Sequence, residues 1–359
     1  MRLPPEVERL FDEGAGLSGD EAQALGHHLE QRPDDLDARA RLLGYHKAQL
    51  RKASEGLTLR QMIARAIGDD RDDSHTEARA RHALWLAANA PLAPLAAHPL
   101  LRLEVLEPQY DELSAIWRRH AASEPPDPTL LAHAIAFFWL SNEPFSGELL
   151  ARAEQLFPGD PRWASFRRER RAEELSRDFG LVLIEVRGSS DKGEGNDRSK
   201  IGSEADLAEI EQLLPDLDPR SAIVPRLREA ASTIALALGH IKRARRHAEE
   251  MLISNAGDPR RRHGDAVHDG HLMLGRIALR ADDLVRARAH LILAGESGAT
   301  RFVPMFGPDL RLAKDLLALG EREVIVRYLT LAREFWEPDQ IDDWIAQIQA
   351  GRIPEKLRS

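Results

Sequence analysis

Three prolines divide the N-terminal half of the chain at nearly equal intervals. Pro91, Pro125 and Pro158 lie 34 and 33 residues apart, and each ends a segment rich in Ala, Leu and Arg. Pro33 ends a similar segment nearer the N-terminus. Proline ends a helix because it lacks the amide proton and disfavours helical geometry at the residue before it. The spacing therefore predicts helical units of similar length and a repetitive fold.

The composition favours an all-α protein. Of the 359 residues 43% are hydrophobic and 30% are charged, and Ala, Leu and Arg are abundant. These three residue types are strong helix formers, whereas the β-branched residues typical of strands are scarce. The net charge of −9 excludes a global basic field for nucleic acid. The absence of cysteine excludes disulfides and thiolate sites, and it fits a reducing compartment.

The sequence shows no targeting or membrane segment. The first six residues, MRLPPE, lack the apolar core of a signal peptide. No uninterrupted apolar run approaches the roughly 18 residues that a transmembrane helix needs. We therefore expect a cytoplasmic protein without a membrane partner.

One stretch of the C-terminal half fits a known repeat pattern, W-x2-L-G-x2-Y followed by A-x3-F, which belongs to the tetratricopeptide hairpin. The small residues of the pattern allow two helices to approach closely, and Asp282-Asp283 is the expected turn between them. A related arrangement of small residues surrounds Ala235 and Ala244. The matching positions are His271, Leu274, Gly275, Ala278, Ala287 and Leu291.

Longer runs around this stretch resemble a group of bacterial tetratricopeptide-like repeat proteins of unknown function. The resemblance rests on DAVHDGH at 265–271, LGRIAL at 274–279 and FGPDL at 306–310, and on PDDL at 33–36 and RHALWL at 81–86. It implies an all-α fold, a tetratricopeptide (TPR)-like solenoid of α–α hairpins, in one or two arrays. It brings no catalytic residue and no cofactor.

A low-complexity stretch, GSSDKGEGND, interrupts the helical pattern and predicts a flexible linker. The expected organisation is an N-terminal array at 1–186, a linker at 187–203 and a C-terminal array at 204–359. The run Leu181–Val186 is expected to end a helix that begins near Trp163. Other local predictions are a short helix at Leu57–Ile67, an irregular connection at Leu92–Leu106, a loop at Ser254–Asp265 and Pro308 as the first residue of a helix.

The first helix of each hairpin is expected to line a concave face, at Thr129–Ser141, Trp163–Arg177 and Asp265–Arg280. Arginine suits carboxylates because its planar fork binds them with two hydrogen bonds. The expected partner is therefore a protein or peptide, acidic in character, or a C-terminal carboxylate. A second interpretation pairs the arginines with Glu169, Glu173 and Asp269 on their own helices. The candidate binding residues are His133, Arg167, Arg170, Arg171, His268 and Arg276.

Two other functions stay open besides a non-catalytic interaction module. An enzyme or metal-binding protein could use His263, His268, Asp269 and His271 near the Phe306 turn, since imidazole and carboxylate are metal ligands. No HExxH motif or phosphate loop supports that interpretation. The runs of arginine at 167–171, 243–246 and 260–262 could contact nucleic acid, but no aromatic residues are interleaved with them.

Aromatic residues are expected to fill the helical core. The six tryptophans are spread at roughly one per hairpin. Phe137, Phe138 and Trp139 are consecutive, and successive residues of a helix point about 100° apart. One of the three side chains is therefore expected to reach a neighbouring hairpin or a groove.

Overall fold

A computed structural model describes residues 4–54, 74–103, 105, 107–141, 143–188, 201–219, 221–253, 264–298, 307–336 and 340–357. Within these ranges the chain forms sixteen α-helices and four short 3-10 turns, without any strand. The all-α prediction is confirmed. The chain divides into two compact units, Met1–Arg167 and Arg168–Ser359, which are described separately.

The helices of the first unit follow one another with short connections. Helix α3 packs against α1, α2 and α4, α5 packs between α4 and α6, and α6 packs against α7. The bounds are α1 Pro5–Ala15, α2 Gly19–Gln31, α3 Leu36–Ser54, α4 Ser74–Asn89, α5 Tyr110–Ala121, α6 Pro128–Ser141, α7 Glu143–Leu156 and α8 Pro161–Gly188, of which residues up to Arg167 belong to this unit.

The prolines end helices as predicted, because α2, α4, α5 and α7 all stop shortly before Pro33, Pro91, Pro125 and Pro158. Their equal spacing does not delimit equal units, however. Between Pro91 and Pro125 the chain forms one α-helix and two 3-10 turns, at Pro94–Ala97 and Pro99–Leu101. Buried leucines hold this irregular connection in the core, namely Leu95, Leu101 and Leu103.

The core of the first unit surrounds α6. Phe137, Phe138 and Trp139 are all buried, and each meets a different helix. Phe137 stacks on Tyr110 of α5, Phe138 meets Phe145 of α7, and Trp139 meets Phe166 of α8. A helix buried on several sides accommodates consecutive aromatic residues, and Trp139 reaches the neighbouring helix as expected.

The second unit consists of successive helical hairpins after α8. Helices α10 and α11 pair, as do α12 and α13, and α14 and α15. Helix α12 also packs on α10 and α11, and α15 packs on α13 and α16. The bounds are α9 Glu204–Leu213, α10 Ile223–Ala237, α11 Ile241–Ile253, α12 Gly264–Arg280, α13 Leu284–Gly295, α14 Arg311–Ala318, α15 Arg322–Ala332 and α16 Ile341–Gln349, with 3-10 turns at Leu214–Asp216 and Glu355–Leu357.

The three hairpin turns of this unit share one geometry. Gly239, Asp282 and Gly320 have φ of 84°, 55° and 87°. In each turn the next amide donates to a carbonyl five residues earlier, at 2.8, 2.9 and 3.0 Å. This is the Schellman helix end, which favours glycine at the left-handed residue. The predicted turn at Asp282-Asp283 is confirmed, with the Asp283 carboxylate capping α13 through the amide of Arg286.

Counted from these turn residues, the same positions are buried in all three hairpins. Three positions are compared in each hairpin: the residue four places before the turn residue, and the residues five and nine places after it. Every side chain at these positions is apolar and at most 5% exposed. The sets are Ala235, Ala244 and Ala248, then Ala278, Ala287 and Leu291, then Leu316, Ile325 and Leu329. The second set belongs to the repeat pattern identified in the sequence, and the third hairpin was not identified there.

The two compact units meet inside α8, between Arg167 and Arg168. Residues 189–200 of the predicted linker lie outside the described part of the chain, so the linker stays a prediction. The run Leu181–Val186 does end α8, as expected.

The remaining local predictions differ in outcome. Leu57–Ile67 and most of the predicted loop Ser254–Asp265 lie outside the described residues, as do His263 and Phe306. The prediction that Pro308 begins a helix is wrong, because α14 begins at Arg311. The carboxylate of Asp309 accepts the Arg311 amide at 3.0 Å and thereby satisfies a free donor of the first turn.

Candidate binding surface

Two of the predicted binding residues lie in the core. The His133 side chain is buried, and its Nδ1 donates to the Pro91 carbonyl at 2.7 Å. Burial lowers the pKa of His133, and this hydrogen bond opposes the shift. His268 is fully buried, with Nδ1 3.2 Å from an Asp269 carboxylate oxygen and Nε2 3.3 Å from the Tyr328 hydroxyl. The expectation that both side chains lie on the non-core faces of their helices is wrong.

The three predicted arginines of α8 are ion-paired. Arg167 lies 2.7 Å from Glu154 within the first unit. In the second unit Arg170 lies 3.4 Å from Glu174, and Arg171 lies 2.6 Å from Glu209 of α9 and 3.3 Å from Glu174. The hydrogen bonds with Glu209 and Glu174 raise the pKa of Arg171. These pairings are of the kind that the second interpretation expected, and they include the carboxylates of Glu154, Glu174 and Glu209.

Arg276 of α12 has a different environment. Its side chain keeps partial exposure, yet burial lowers its pKa to about 10. Among the described residues no carboxylate lies within ion-pair distance of Arg276, and its hydrogen-bond contact is the Met273 sulfur at 3.9 Å.

Arg280, Asp309, Arg311 and Asp315 act electrostatically on this guanidinium, and Lys314 acts on Asp315. These groups lie on α12, on α14 and just before α14, and are named here the Arg276 cluster: Arg276, Arg280, Asp309, Arg311, Lys314 and Asp315. Arg311 is engaged by Asp309, with Nη2 at 2.6 Å from one carboxylate oxygen. Arg280 donates to the Leu236 carbonyl at the end of α10. Burial raises the pKa of Asp315, and Arg276 opposes that shift. Four cations thus accompany two carboxylates, and the cluster carries net positive charge.

The hairpin register explains how the cluster forms. Gly275 and Ala313 occupy equivalent places seven residues before the turn residues Asp282 and Gly320. Arg276 and Lys314 follow them, so the shared geometry brings both cations to the same face of their hairpins. Lys314 and Arg311 were missed from the sequence, although aligning Leu312-Ala313 with Leu274-Gly275 reveals them.

Two arginines of the run at 243–246, Arg243 and Arg246, also pair with carboxylates. Glu211 of α9 accepts from Arg243 at 2.8 Å, from Arg246 at 2.5 Å and from His247 at 2.8 Å. The Arg243 hydrogen bonds and then that of His247 lower the pKa of Glu211 to about 2. These contacts fasten α9 to α11, and they occupy the arginine forks that a phosphate backbone would need.

The described part of the chain contains no group of three or more His, Asp or Glu side chains arranged to hold a metal ion. No helix within the described ranges combines the length and apolar character needed to cross a bilayer. Comparison of the chain with protein-family models, with curated proteins and with solved structures finds no match.

Proposed function

We propose that this protein is a non-catalytic interaction module that binds an acidic peptide or protein segment at the Arg276 cluster. In this proposal the helical hairpins form a TPR-like solenoid, and the chain is related to the bacterial tetratricopeptide-like proteins that its sequence resembles. The shared turn geometry and buried register of the three hairpins support that architecture. A cytoplasmic location belongs to the same proposal.

The observation that carries the proposal is the state of Arg276. A partly buried charge is normally paired, because leaving it without a counter-charge costs free energy. Arg276 has a desolvated guanidinium, partial exposure and no ion pair among the described residues. A carboxylate of a partner supplies the missing charge with two directional hydrogen bonds. Arg280 and Lys314 extend the positive surface along the same face.

The two other functions considered from the sequence have weaker support. An active or metal site near His268 requires an accessible imidazole, whereas His268 is 0% exposed. Nucleic-acid binding through the arginine runs is weakened by ion pairing, because six of their arginines, namely Arg167, Arg168, Arg170, Arg171, Arg243 and Arg246, lie against carboxylates. The third run, at 260–262, lies outside the described residues.

A peptide-binding measurement on the full chain tests the proposal. The probe is a fluorescein-labelled peptide of alternating Glu and Gly, compared with its C-terminally amidated form and with a Lys/Gly peptide of equal length. We expect the two acidic peptides to bind and the basic peptide not to bind. A loss of affinity on amidation identifies the C-terminal carboxylate as the group held by Arg276.

A matched pair of variants locates the surface. Arg276→Gln should weaken binding of the acidic peptide about tenfold, the size of one charge-assisted bidentate contact. Arg286→Gln on α13 is the control, because Arg286 is 70% exposed and pairs with Asp283. Both variants should melt close to the wild type. Equal affinity in wild type and Arg276→Gln, or no binding of either acidic peptide, contradicts the proposal.

A further inference from the structure

A buried cation without a counter-ion lies in the first unit, apart from the surface just described. Arg39 of α3 is 5% exposed. Its Nη2 donates to the Pro33 carbonyl at 2.6 Å, and its guanidinium carbon lies 3.7 Å from the centre of the Trp85 ring. Its buried Nε has no hydrogen-bond partner among the described residues. No carboxylate of that part of the chain pairs with it, and burial lowers its pKa to about 10.

The remaining contact of Arg39 connects this charge to a partly exposed histidine. Nη1 of Arg39 lies 2.9 Å from Nδ1 of His82 on α4. Arginine can only donate, so Nδ1 of His82 is the acceptor and the imidazole proton resides on Nε2. His82 thus presents an N–H donor on the side of its ring away from Arg39. The positive charge behind the ring strengthens that donor.

Two further imidazoles adjoin His82. The ring of His46 on α3 lies 5.9 Å from that of His82, and its Nδ1 lies 2.9 Å from Nδ1 of His75 on α4. One of these two nitrogens carries the shared proton and the other accepts it. The accepting histidine therefore has its own proton on Nε2, which supplies a second outward donor. All three histidines are partly exposed.

The charges around the histidines are predominantly positive. Burial, with Arg39, His46 and Arg81 adding to it, lowers the pKa of His82 to about 3. Burial, with His75 and Arg81 adding to it, lowers that of His46 to about 4. Glu77 lies 3.8 Å from Arg81 on the exposed face of α4.

Asp35, just before α3, is engaged by other groups. It accepts the Ala38 amide at 2.9 Å and lies 2.8 Å from His28 of α2. Within the described ranges no carboxylate lies within hydrogen-bond or ion-pair distance of the three imidazoles.

We propose that His46, His75 and His82, backed by Arg39, form a binding site for an oxyanion of the phosphate class. The imidazole N–H groups contact the anion, and Arg39 is a positioning residue that fixes the His82 tautomer and supplies the charge behind it. A phosphate dianion accepts several donors at once and balances the buried guanidinium. Metal binding is disfavoured at this cluster, because Arg39 occupies the His82 nitrogen that would be free for ligation.

The site predicts proton uptake on binding. An anion beside the imidazoles favours their charged form and raises their affinity for protons. Binding of an anion and binding of protons must then strengthen each other by linkage. The free imidazoles of His82 and His46 have pKa values of about 3 and 4, so this linkage acts below about pH 6. Phosphate should accordingly bind more tightly at pH 4.5 than at pH 6, a range that lies below the second ionisation of a phosphate group. A site made only of arginine or lysine shows no such preference.

Isothermal titration calorimetry of the full chain with potassium phosphate tests this inference, at pH 4.5 and pH 6 and constant ionic strength in potassium chloride. We expect binding about threefold tighter at pH 4.5, because the bound anion raises the lowered pKa values of the imidazoles. Repeating the pH 4.5 titration in buffers of different ionisation enthalpy should show net proton uptake by the protein. Phosphoserine is titrated in parallel, to distinguish free phosphate from a phosphoryl group carried by another molecule. Failure of both ligands to bind, or tighter binding at pH 6 than at pH 4.5, overturns the proposal.

Variants assign the binding to this cluster. His75→Gln should weaken phosphate binding at least about fivefold and flatten the pH dependence, because the second donor comes from the His46–His75 pair and the hydrogen bond between them is lost. His271→Gln is the matched control, since His271 is also partly exposed and its Nδ1 lies 3.2 Å from that of another histidine, His290. An equal loss in both variants, or none in His75→Gln, overturns the assignment. The outcome is separate from acidic-peptide binding at Arg276, which lies in the other unit.

Discussion

His98 shows how a single titratable side chain can couple the stability of the first unit to pH. Its ring stacks on Phe11 of α1 at 4.1 Å, with 8° between the planes, and its Nδ1 accepts the Leu100 amide at 2.9 Å. That nitrogen must be unprotonated to accept. Burial, with Lys47 and Arg102 adding to it, lowers the pKa of His98 to about 3.

Because the pKa of His98 is lower in the folded unit than in the unfolded chain, the free energy of unfolding falls as the pH falls. Below the ordinary histidine pKa of about 6.5, the unfolded chain binds a proton that the folded unit excludes. The contribution of His98 is therefore complete above about pH 6.5 and is lost as pH falls toward 3. His98→Asn keeps an acceptor for the Leu100 amide and removes the titration. We expect it to reduce the slope of unfolding free energy against pH by about 1 kcal/mol per pH unit between pH 6 and 4.

Hydrogen exchange of α1 amides at several pH values measures this slope locally. His27→Asn serves as the control, because His27 is 64% exposed on α2. Its exchange should follow the wild type at every pH. Identical pH slopes in His98→Asn and wild type would show that His98 is not responsible for the acid sensitivity of this region.

Helices α1 and α3 cross at two glycines that allow their backbones to touch. A Cβ on Gly14 of α1 would lie 1.9 Å from the Arg41 carbonyl oxygen, and one on Gly44 of α3 would lie 2.1 Å from that of Phe11. Both obstacles are backbone atoms, which cannot rotate away as a side chain can. The close approach explains why glycine, a poor helix former, lies inside both helices.

Gly14→Ala should separate α1 from α3 and destabilise the first unit by about 2–4 kcal/mol, as overpacking against rigid atoms does. Gly26→Ala on α2 is the matched control, since nothing lies within 4 Å of the position that its new methyl group would take. It should leave stability equal or raise it by up to about 1 kcal/mol through helix propensity. Denaturant melts of the two variants check the difference. Equal stability of both would contradict the close crossing.

The sequence predicts where helices end better than it predicts which side chains are buried by residues distant in sequence. Proline positions located the ends of α2, α4, α5 and α7, because helix termination is a local property. Burial of His133 and His268 was not predictable in this way. The former depends on the Pro91 carbonyl and the latter on Tyr328, which are distant in sequence and adjacent only after folding. Arg276 was identified, whereas Lys314 was missed because the third hairpin was not aligned with the second in the sequence.

At the scale of the whole chain, the predicted linker and the observed division into units lead to a proteolysis experiment. The stretch Gly188–Ser203 is rich in Gly, Ser and Asp and offers little apolar surface to bury. We expect trypsin, at Lys192, Arg198 or Lys200, to make its first cut there and to leave two helical fragments. Mass spectrometry of the early fragments identifies the site. A first cut elsewhere, with this stretch intact, would argue against a linker at 187–203.

Because the three hairpins share one turn geometry, the second unit can gain or lose hairpins during evolution. Gly239, Asp282 and Gly320 hold the same place in each hairpin, yet the spacing between the first two is larger than that between the last two. Differences in length are therefore confined to the segments that join one hairpin to the next. Recombination between two of these turns would add or remove a complete hairpin and leave the spacing of every buried residue unaltered. The number of hairpins in the second unit can thus change by one at a time through recombination, while point mutations change the cations on its surface.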